Sequence, residues 1–404
     1  MKITLIGQVK RFLCCIIAVL FATTAFAGEP VPPLRNNNGL ARTPPMGWNS
    51  WYAYKCDIDE TKIRAMADAM VTSGMKASGY EYVIIDDCWQ VGRDSNGNIL
   101  ADPIRFASGM KVLADYVHSK GLKFGLYSDA GIATCEGRPG SHGYEYQDAR
   151  TYASWGVDYL KYDWCNASTQ DRRESYLLMS DALIKSGRNI VFSICEWGSG
   201  RPWEWGRASG GNLWRTGGDI WDHWESGPVH WQQGLKAVID AQVDLSPYAG
   251  PGGWNDPDML QVGNGGMTDA EYRTQFSMWA IFAAPLISSN NLATMSAASR
   301  EIYTNLEIIA VDQDALGIQG RRLVKTGDSE IWARPLSDGS RAFVLFNRAN
   351  TAQTITLNWQ DVGYSVGARL KVRNLWSHRD EGTFITNYSA NVAAHGVVML
   401  RLYP

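Results

Sequence analysis

Residues 157–166, VDYLKYDWCN, decide how this chain is interpreted. Gly156 precedes the stretch, and its apolar residues give way to Lys161, Asp163 and Cys165. A short apolar run with a charged end is typical of a buried strand in an α/β barrel, because barrel strands carry active-site residues at their carboxyl ends. We therefore predict that Asp163 is a covalent nucleophile. A single acid in such a position is more often a helix cap or a loop residue, so the prediction depends on the rest of the chain.

The same pattern of an apolar run with a polar end recurs along the chain. Between the runs, apolar residues at helical spacing predict helices, and glycines such as Gly121 and Gly187 end them. With 157–163, the predicted strands are residues 46–51, 80–85, 122–128, 189–194, 212–216, 243–249 and 285–289. Eight alternating strand–helix units predict a (β/α)8 TIM barrel over residues 28–314. The alternative is an open doubly wound sheet, but the glycine-rich motif of its first strand–helix turn is missing.

The pattern changes after residue 314. Residues 330–333, 341–347, 354–359 and 397–402 alternate or are rich in β-branched residues, and turns such as Ser337-Asp338-Gly339 separate them. This predicts a C-terminal antiparallel β-sandwich domain over residues 315–404.

The first 27 residues predict a cleaved signal peptide. Lys2, Lys10 and Arg11 precede an apolar run that ends in the small-x-small sequence Ala25-Phe26-Ala27. The alternative, a membrane anchor, is disfavoured because the run is short for a bilayer span and has no stop-transfer flank. We therefore predict a secreted or periplasmic protein. The net charge of −3 argues against nucleic acid and acidic membranes as partners.

Five cysteines remain after residue 27, namely Cys56, Cys88, Cys135, Cys165 and Cys195. An exported protein can keep them as at most two disulfides and one leftover thiol. The six histidines never approach the spacing of metal ligands, so we predict no metal and no cofactor. The nucleophile elbow of serine hydrolases and the phosphate-binding loop are also missing.

Five polar or aromatic clusters fall at predicted strand ends: residues 48–51, 86–87, 161–163, 215–219 and 256–259. Each has a structural alternative, since a tryptophan can be core, an acid can cap a helix, and Arg215 with Asp219 can be a structural ion pair. At the ends of successive barrel strands, however, all five would converge on one face.

The composition of this convergence indicates sugar chemistry. Carboxylates accept hydrogen bonds from hydroxyls, aromatic rings stack on sugar rings, and two further carboxylates can cleave a glycosidic bond. Lys161 beside Asp163 should lower the pKa of that acid and keep it ionised. A non-catalytic carbohydrate-binding protein is the alternative from another class, but it would need neither a nucleophile nor an acid.

Several of these stretches are specific enough to name a family. The chain resembles the α-galactosidases (melibiases) of glycoside hydrolase family 27 over nearly all of its predicted barrel. The matching stretches are LARTPPMGWNSW (40–51), YEYVIIDDCW (80–89), ADPIRF (101–106), GLKFGLYSDAG (121–131), WGVDYLKYDWC (155–165), CEWG (195–198), WRTGGDI (214–220), AGPGGWNDPDML (249–260) and WAIFAAPLISSNNL (279–292).

The resemblance implies a retaining, exo-acting α-galactosidase without a cofactor. Asp163 matches the nucleophile and Asp219 the general acid/base, while Asp86 and Asp87 match the pair that binds the 4- and 6-hydroxyls of galactose. Glu196 falls on the loop that reads the sugar's 2-position. The remaining matches to sugar contacts are Trp51, Tyr127, Lys161, Arg215, Asp258 and Met259.

The resemblance also implies disulfides Cys56–Cys88 and Cys135–Cys165. Cys195 is expected to be a free thiol, because Gly211 stands where animal relatives carry its partner. Expected substrates are galactomannan side chains or raffinose-type oligosaccharides. An α-N-acetylgalactosaminidase and a β-L-arabinopyranosidase are close alternatives on the same fold. Asn166 and Asn387 begin glycosylation sequons that have meaning only in a glycosylating host.

Overall fold

The computed structural model describes residue 35, residues 38–229 and residues 232–403. The predicted signal peptide, residues 1–27, lies outside the described residues. Within these ranges, no helix has the length and apolar character needed to cross a membrane.

Eight parallel strands form the first sheet. They are β1 (Met46–Asn49), β2 (Tyr82–Ile84), β3 (Lys123–Asp129), β4 (Tyr159–Asp163), β5 (Val191–Ile194), β6 (Leu213–Arg215), β7 (Trp254–Asp256) and β8 (Leu286–Ser288). Their order is β7-β6-β5-β4-β3-β2-β1-β8, so neighbours in sequence are neighbours in space. A single bridge between Leu260 and Ser288 joins the two ends of the sheet. The predicted TIM barrel is confirmed.

The barrel helices are α1 (Glu60–Thr72), α2 (Met110–Ser119), α3 (Glu145–Trp155), α4 (Arg172–Lys185), α5 (Leu235–Ala241), α6 (Asp269–Phe282), α7 (Ala297–Tyr303) and α8 (Leu306–Asp312). Side-chain oxygens cap several of them: Asp59 accepts from Lys62 N–H at the start of α1, and Thr268 with Glu271 forms a capping box on α6. Gly156, at φ +85°, ends α3 and turns the chain into β4.

The sequence prediction of a strand over residues 243–249 is wrong. That segment follows α5 as a turn, in which Ser246–Tyr248 forms a 3₁₀ helix with Pro247 near its start. The seventh strand is Trp254–Asp256, and it pairs with β6 through Trp254 and Leu213. Apolar residues alone cannot distinguish a buried turn from a buried strand, since both need apolar side chains.

The second domain has two antiparallel sheets. Its strands are β9 (Arg321–Thr326), β10 (Ser329–Pro335), β11 (Arg341–Asn347), β12 (Gln353–Asn358), β13 (Arg369–Asn374), β14 (Arg379–Ile385), β15 (Asn387–Val392) and β16 (Val397–Tyr403). A sheet of order β9-β10-β11-β16-β13-β14 packs on the pair β12-β15.

Alternate side chains of these strands face opposite sides of the sheet, so one face packs in the sandwich core and the other packs against the barrel. Ile331 and Ala333 of β10 face the core between the two sheets, whereas Trp332 belongs to the barrel core and meets Phe282 of α6 at 5.2 Å between ring centroids. Arg348 adds a polar link, because its guanidinium pairs with Asp240 of α5 at 2.6 Å and with Glu330 of β10 at 2.9 Å.

Candidate active site

A cavity of about 610 Å³ opens at the carboxyl ends of the barrel strands. Nine of the eleven predicted catalytic and sugar-contacting residues line it: Trp51, Asp86, Asp87, Tyr127, Lys161, Asp163, Arg215, Asp219 and Met259. Glu196 and Asp258 do not. The convergence expected from the strand ends is therefore present, and it brings together residues from positions 51 to 259.

Asp163 ends β4 and is held at both carboxylate oxygens. Oδ1 accepts the backbone N–H of Trp164 at 2.9 Å, and Oδ2 accepts the hydroxyl of Tyr127 at 2.9 Å. Only 5% of the residue is exposed. Tyr127 belongs to β3, where it pairs with Lys161 of β4. Its hydroxyl therefore reaches Asp163 from the neighbouring strand. The carboxylate is thus fixed in one orientation at the wall of the cavity.

Burial raises the pKa of Asp163 to about 6. The charge of Lys161 lowers this pKa and that of Asp219 raises it. The predicted lowering by Lys161 is therefore present, but the raising effect of burial is larger. The ammonium of Lys161 contacts Asp86 Oδ2, at 2.7 Å, and is the direct partner of that acid. With a pKa near 6, the ionised form of Asp163 predominates at pH 7.

Asp86 and Asp87 follow β2 and have different surroundings. Asp86 Oδ2 accepts from Asn49 Nδ2 and Lys161 Nζ, both at 2.7 Å. Asp87 accepts the backbone N–H groups of Cys88 at 2.6 Å and Glu136 at 3.1 Å, and burial raises its pKa to about 6. Both carboxyls face the cavity as hydrogen-bond acceptors with fixed directions.

Asp219 lies in a more open part of the cavity, with 46% of its side chain exposed. Its backbone belongs to a two-residue strand, Asp219–Ile220, that pairs in parallel with Gln232–Gln233. Arg215 Nη2 approaches Asp219 Oδ1 at 3.1 Å. A carboxyl in this position reaches both the cavity and solvent.

Asp258, predicted as a sugar contact, lies outside the cavity lining and supports the segment that carries Asp219. Its Oδ2 pairs with Arg215 at 3.0 Å and accepts the N–H of Ile220 at 2.9 Å and the hydroxyl of Tyr52 at 3.0 Å. The residue is buried at φ +87°, and burial raises its pKa. Asp258 therefore positions Arg215 and the segment that carries Asp219.

Glu196, predicted to read the 2-position, is turned into its own loop. Its Oε2 accepts the N–H of Gly200 at 2.6 Å and the hydroxyl of Ser199 at 3.0 Å, and Arg172 Nε lies 3.4 Å away. The residues of this loop that line the cavity are Trp197 and Ser199. Glu196 thus shapes the loop that delivers them.

Besides the disulfide cysteines, five lining residues were not named as site residues by the sequence analysis: Tyr52, Trp197, Ser199, Gly218 and Gln233. Tyr52 directly follows the motif GWNSW, and Trp197 lies within CEWG. Both could have been predicted as aromatic residues at strand ends. Ser199 and Gln233 carry no such signal.

The disulfides Cys56–Cys88 and Cys135–Cys165 are both formed, and Cys195 is a buried free thiol, as the resemblance implied. The second disulfide is part of the cavity wall. Asp129, at the end of β3, supports this disulfide: the carboxyl group of Asp129 accepts the N–H groups of Gly131 at 2.7 Å and Cys165 at 2.9 Å. Burial and the nearby charge of Asp163 raise the pKa of Asp129.

Two groups of side chains in the described residues have metal-ligand spacing. They are Asp129 with Cys135, Asp163 and Cys165, and Cys56 with Cys88 and Glu136. Both depend on cysteines that are joined in disulfides. A disulfide sulfur lacks the thiolate that binds metals.

Comparisons with known proteins agree with this geometry. A family model described as "Alpha galactosidase A" matches residues 43–314, and one described as "Alpha galactosidase C-terminal beta sandwich domain" matches residues 326–402. Alpha-galactosidase A of Cellvibrio japonicus is 51% identical over 379 residues, which cover 90% of this chain and 93% of that protein.

Solved structures give the same result. The crystal structure of α-galactosidase I from Mortierella vinacea has a TM-score of 0.88 at 39% identity and covers 91% of this chain and 98% of that one. The α-galactosidase from Saccharomyces cerevisiae with raffinose has a TM-score of 0.87 at 30% identity and covers 93% and 100%.

Proposed function

Since this chain belongs to the α-galactosidases of glycoside hydrolase family 27 and hydrolyses α-galactosides, we propose that Asp163 is its nucleophile and Asp219 its general acid/base. The observation that carries the proposal is one cavity that contains both carboxyls, the first buried and held by two hydrogen bonds, the second partly open to solvent. These are the environments that a nucleophile and a proton-exchanging group require.

In the first step, the carboxylate of Asp163 attacks the anomeric carbon while Asp219 donates a proton to the departing oxygen. In the second step, Asp219 takes a proton from water, and this water cleaves the galactosyl–enzyme bond. Two inversions give net retention, which requires carboxyls about 5–5.5 Å apart. The exposure of Asp219 gives water and the leaving group access to it.

Asp86 and Asp87 are proposed to select galactose. Their carboxylates are oriented by Lys161, Asn49 and backbone N–H groups, and both reach the cavity as acceptors for the 4- and 6-hydroxyls. A glucose epimer would leave such an acceptor unpaired, and a buried polar group without its partner costs about 1–3 kcal/mol.

Plain galactose is proposed over its two rivals. Trp197 and Ser199, held by Glu196, occupy the loop assigned to the 2-position, and an indole there disfavours an N-acetyl group. A β-L-arabinopyranoside lacks the CH2OH group whose hydroxyl the aspartate pair would bind. Raffinose-type oligosaccharides and galactomannan side chains are the proposed substrates, in line with the raffinose bound to the Saccharomyces cerevisiae structure.

We further infer export with removal of residues 1–27. The apolar run before Ala27 and the two disulfides support it, because disulfides persist in oxidising compartments. The mature chain should begin at Gly28, which N-terminal sequencing of the exported protein tests.

Azide distinguishes the two catalytic roles. With an activated aryl α-galactoside, azide should convert Asp163→Gly into an enzyme that forms β-galactosyl azide, because azide then attacks the substrate directly from the nucleophile's face. Asp219→Gly should form α-galactosyl azide, because there azide attacks the covalent intermediate. Each variant alone should lose on the order of 10²–10⁴-fold or more in kcat.

Asp115→Gly is the matched control, since Asp115 is an exposed acid on α2 whose ion pair within the described residues is with Lys111. Full activity of Asp163→Gly, or the opposite azide anomers, would reject the assignment. The aryl α-N-acetylgalactosaminide and β-L-arabinopyranoside, assayed beside the galactoside, test the sugar preference.

A further inference from the structure

The segment that carries the proposed acid/base runs from the catalytic cavity to the boundary between the two domains. It begins at Asp219 and reaches Trp224 five residues later. In its middle, the carboxylate of Asp222 accepts the N–H of Gly266 at 2.6 Å and the hydroxyl of Tyr272, on α6, at 3.1 Å. The barrel therefore holds the middle of this segment, and the segment ends at Trp224.

His395, in the turn between β15 and β16, packs flat on Trp224. The two ring centroids are 4.2 Å apart with 9° between the ring planes, which is a closely stacked arrangement. Phe346 of β11 meets the same indole edge-on at 5.9 Å. Both ring contacts come from the β-sandwich, and Trp224 is only 8% exposed. The end of the segment that carries Asp219 is thus packed against the second domain.

The imidazole of His395 is fixed on both sides. Its Nδ1 lies 2.7 Å from Oε1 of Glu271, on α6 of the barrel, and its Nε2 lies 2.7 Å from Oδ1 of Asn350. The His395 carbonyl accepts the hydroxyl of Thr274, also on α6, at 2.7 Å. Because Glu271 and Tyr272 are neighbours on this helix, α6 holds both the histidine and the middle of the acid/base segment.

The barrel alone does not enclose this junction. Trp224 and Glu271 border a surface depression of about 520 Å³. His395 has φ +53°, a left-handed conformation that residues other than glycine adopt at a cost and keep where the surroundings enforce it. The turn between β15 and β16 therefore holds the imidazole in one place. Without this ring, Trp224 would border open space where it now has a packed neighbour.

We propose that His395 is a positioning residue for proton transfer by Asp219, so that the β-sandwich contributes to catalysis by holding the acid/base segment. The inference rests on the proposed function, because Asp219 must be the group that protonates the leaving oxygen. A misplacement of about 1 Å can lower a rate about 100-fold. Asp163 is held separately, by Trp164 and Tyr127, so the loss of the histidine should spare the nucleophile.

Leaving groups of different acidity separate the two catalytic roles. Dinitrophenol departs without a proton, whereas methanol needs one from the acid/base. The kcat/KM values for dinitrophenyl and methyl α-galactoside are measured for wild type and for His395→Asn, since asparagine tolerates the left-handed backbone. We expect kcat/KM for the methyl galactoside to fall about 10- to 100-fold and the dinitrophenyl value to stay within about 2-fold.

His378→Asn is the matched control. His378 also belongs to the β-sandwich, has φ +55°, and places its Nδ1 2.7 Å from a glutamate of a barrel helix, Glu307 of α8. It does not stack on Trp224, so its replacement should leave the ratio of the two kcat/KM values unchanged. Asn350→Ala, at an exposed position, frees one side of the His395 ring and should lower the methyl value about 2- to 10-fold, the effect of one ordinary hydrogen bond.

Equal losses on both substrates, or an unchanged methyl value in His395→Asn, would overturn the proposal. If that variant does not fold, Asn350→Ala decides by the same outcomes. A selective loss of the same size in His378→Asn would also overturn it, because any loosening of the domain contact would then suffice.

Asp219→Gly in the same assay tests the proposed function itself. It should lose far more on the methyl than on the dinitrophenyl galactoside, because only the first needs the acid. Equal losses there would reject Asp219 as the acid/base. A selective loss in Asp219→Gly without one in His395→Asn would reject only the role of the histidine, so the two failures are distinguishable.

Discussion

Replacing Tyr127 with phenylalanine removes one hydroxyl beside the proposed nucleophile and leaves the ring in place. The hydroxyl donates to Asp163 Oδ2 at 2.9 Å in a site where Asp163 is 5% exposed. Burial raises the pKa of Asp163 to about 6, and this hydrogen bond acts in the opposite direction. Because the hydroxyl stabilises the carboxylate, its loss must raise the pKa of Asp163 further.

The size of the change follows from ordinary values. A hydrogen bond to a charged group contributes about 1.5–3 kcal/mol, and one pKa unit equals about 1.4 kcal/mol, so the pKa should rise by about one to two units. The acidic limb of kcat/KM against pH, which reports the free enzyme, should move from near pH 6 to about pH 7–8. The ionised fraction of Asp163 at pH 7 would therefore fall.

The assay is the initial rate on p-nitrophenyl α-galactoside from pH 4 to pH 10 at low substrate concentration. Tyr116→Phe is the matched control, because the Tyr116 hydroxyl also donates to a carboxylate, Asp68 at 2.8 Å, but outside the cavity. The reasoning would be refuted by a Tyr127→Phe enzyme whose rate falls while its acidic limb stays at the wild-type pH. That result would restrict Tyr127 to a role in sugar binding.

Three further predictions follow from the charged groups. Lys161→Met should lower the free energy of unfolding by about 3–5 kcal/mol in urea denaturation, because it leaves a buried aspartate without its cation; an unchanged midpoint would contradict this. Without ligand, the urea midpoint should fall as pH rises from 4 to 7. The folded-state pKa of Asp163 is raised to about 6, so below pH 6 the folded protein binds a proton that the unfolded chain has already released. A midpoint that rises over this pH range would contradict the prediction. Arg348→Ala should cost about 1–3 kcal/mol of stability with kcat retained, because it removes the guanidinium that pairs with both Asp240 and Glu330; lost kcat with normal stability would mean that the β-domain acts on the site through Arg348.

The local signals in the chain located most of the elements. Helical stripes that end at glycines, such as the one before Gly156, are properties of a few consecutive residues, so they can be recognised without the fold. The error at residues 243–249 has the same origin. An apolar turn packed between helix and sheet needs the same side chains as a strand, and only the pairing of Trp254 with Leu213 shows which segment enters the sheet.

The sequence by itself determined the barrel, the two disulfide pairs implied by the resemblance, and the carboxylates at the strand ends. Only the tertiary structure decided where these side chains point. Glu196 turns into its loop because Gly200 and Ser199 supply donors there, and Asp258 turns to Arg215 and Ile220. Lys161 pairs with Asp86 across 75 residues of sequence, although Asp163 is two residues away. In a strand, residues two apart share a face, but the direction of a charged side chain is set by the nearest opposite charge or donor, and the fold brings that partner from a distant part of the chain.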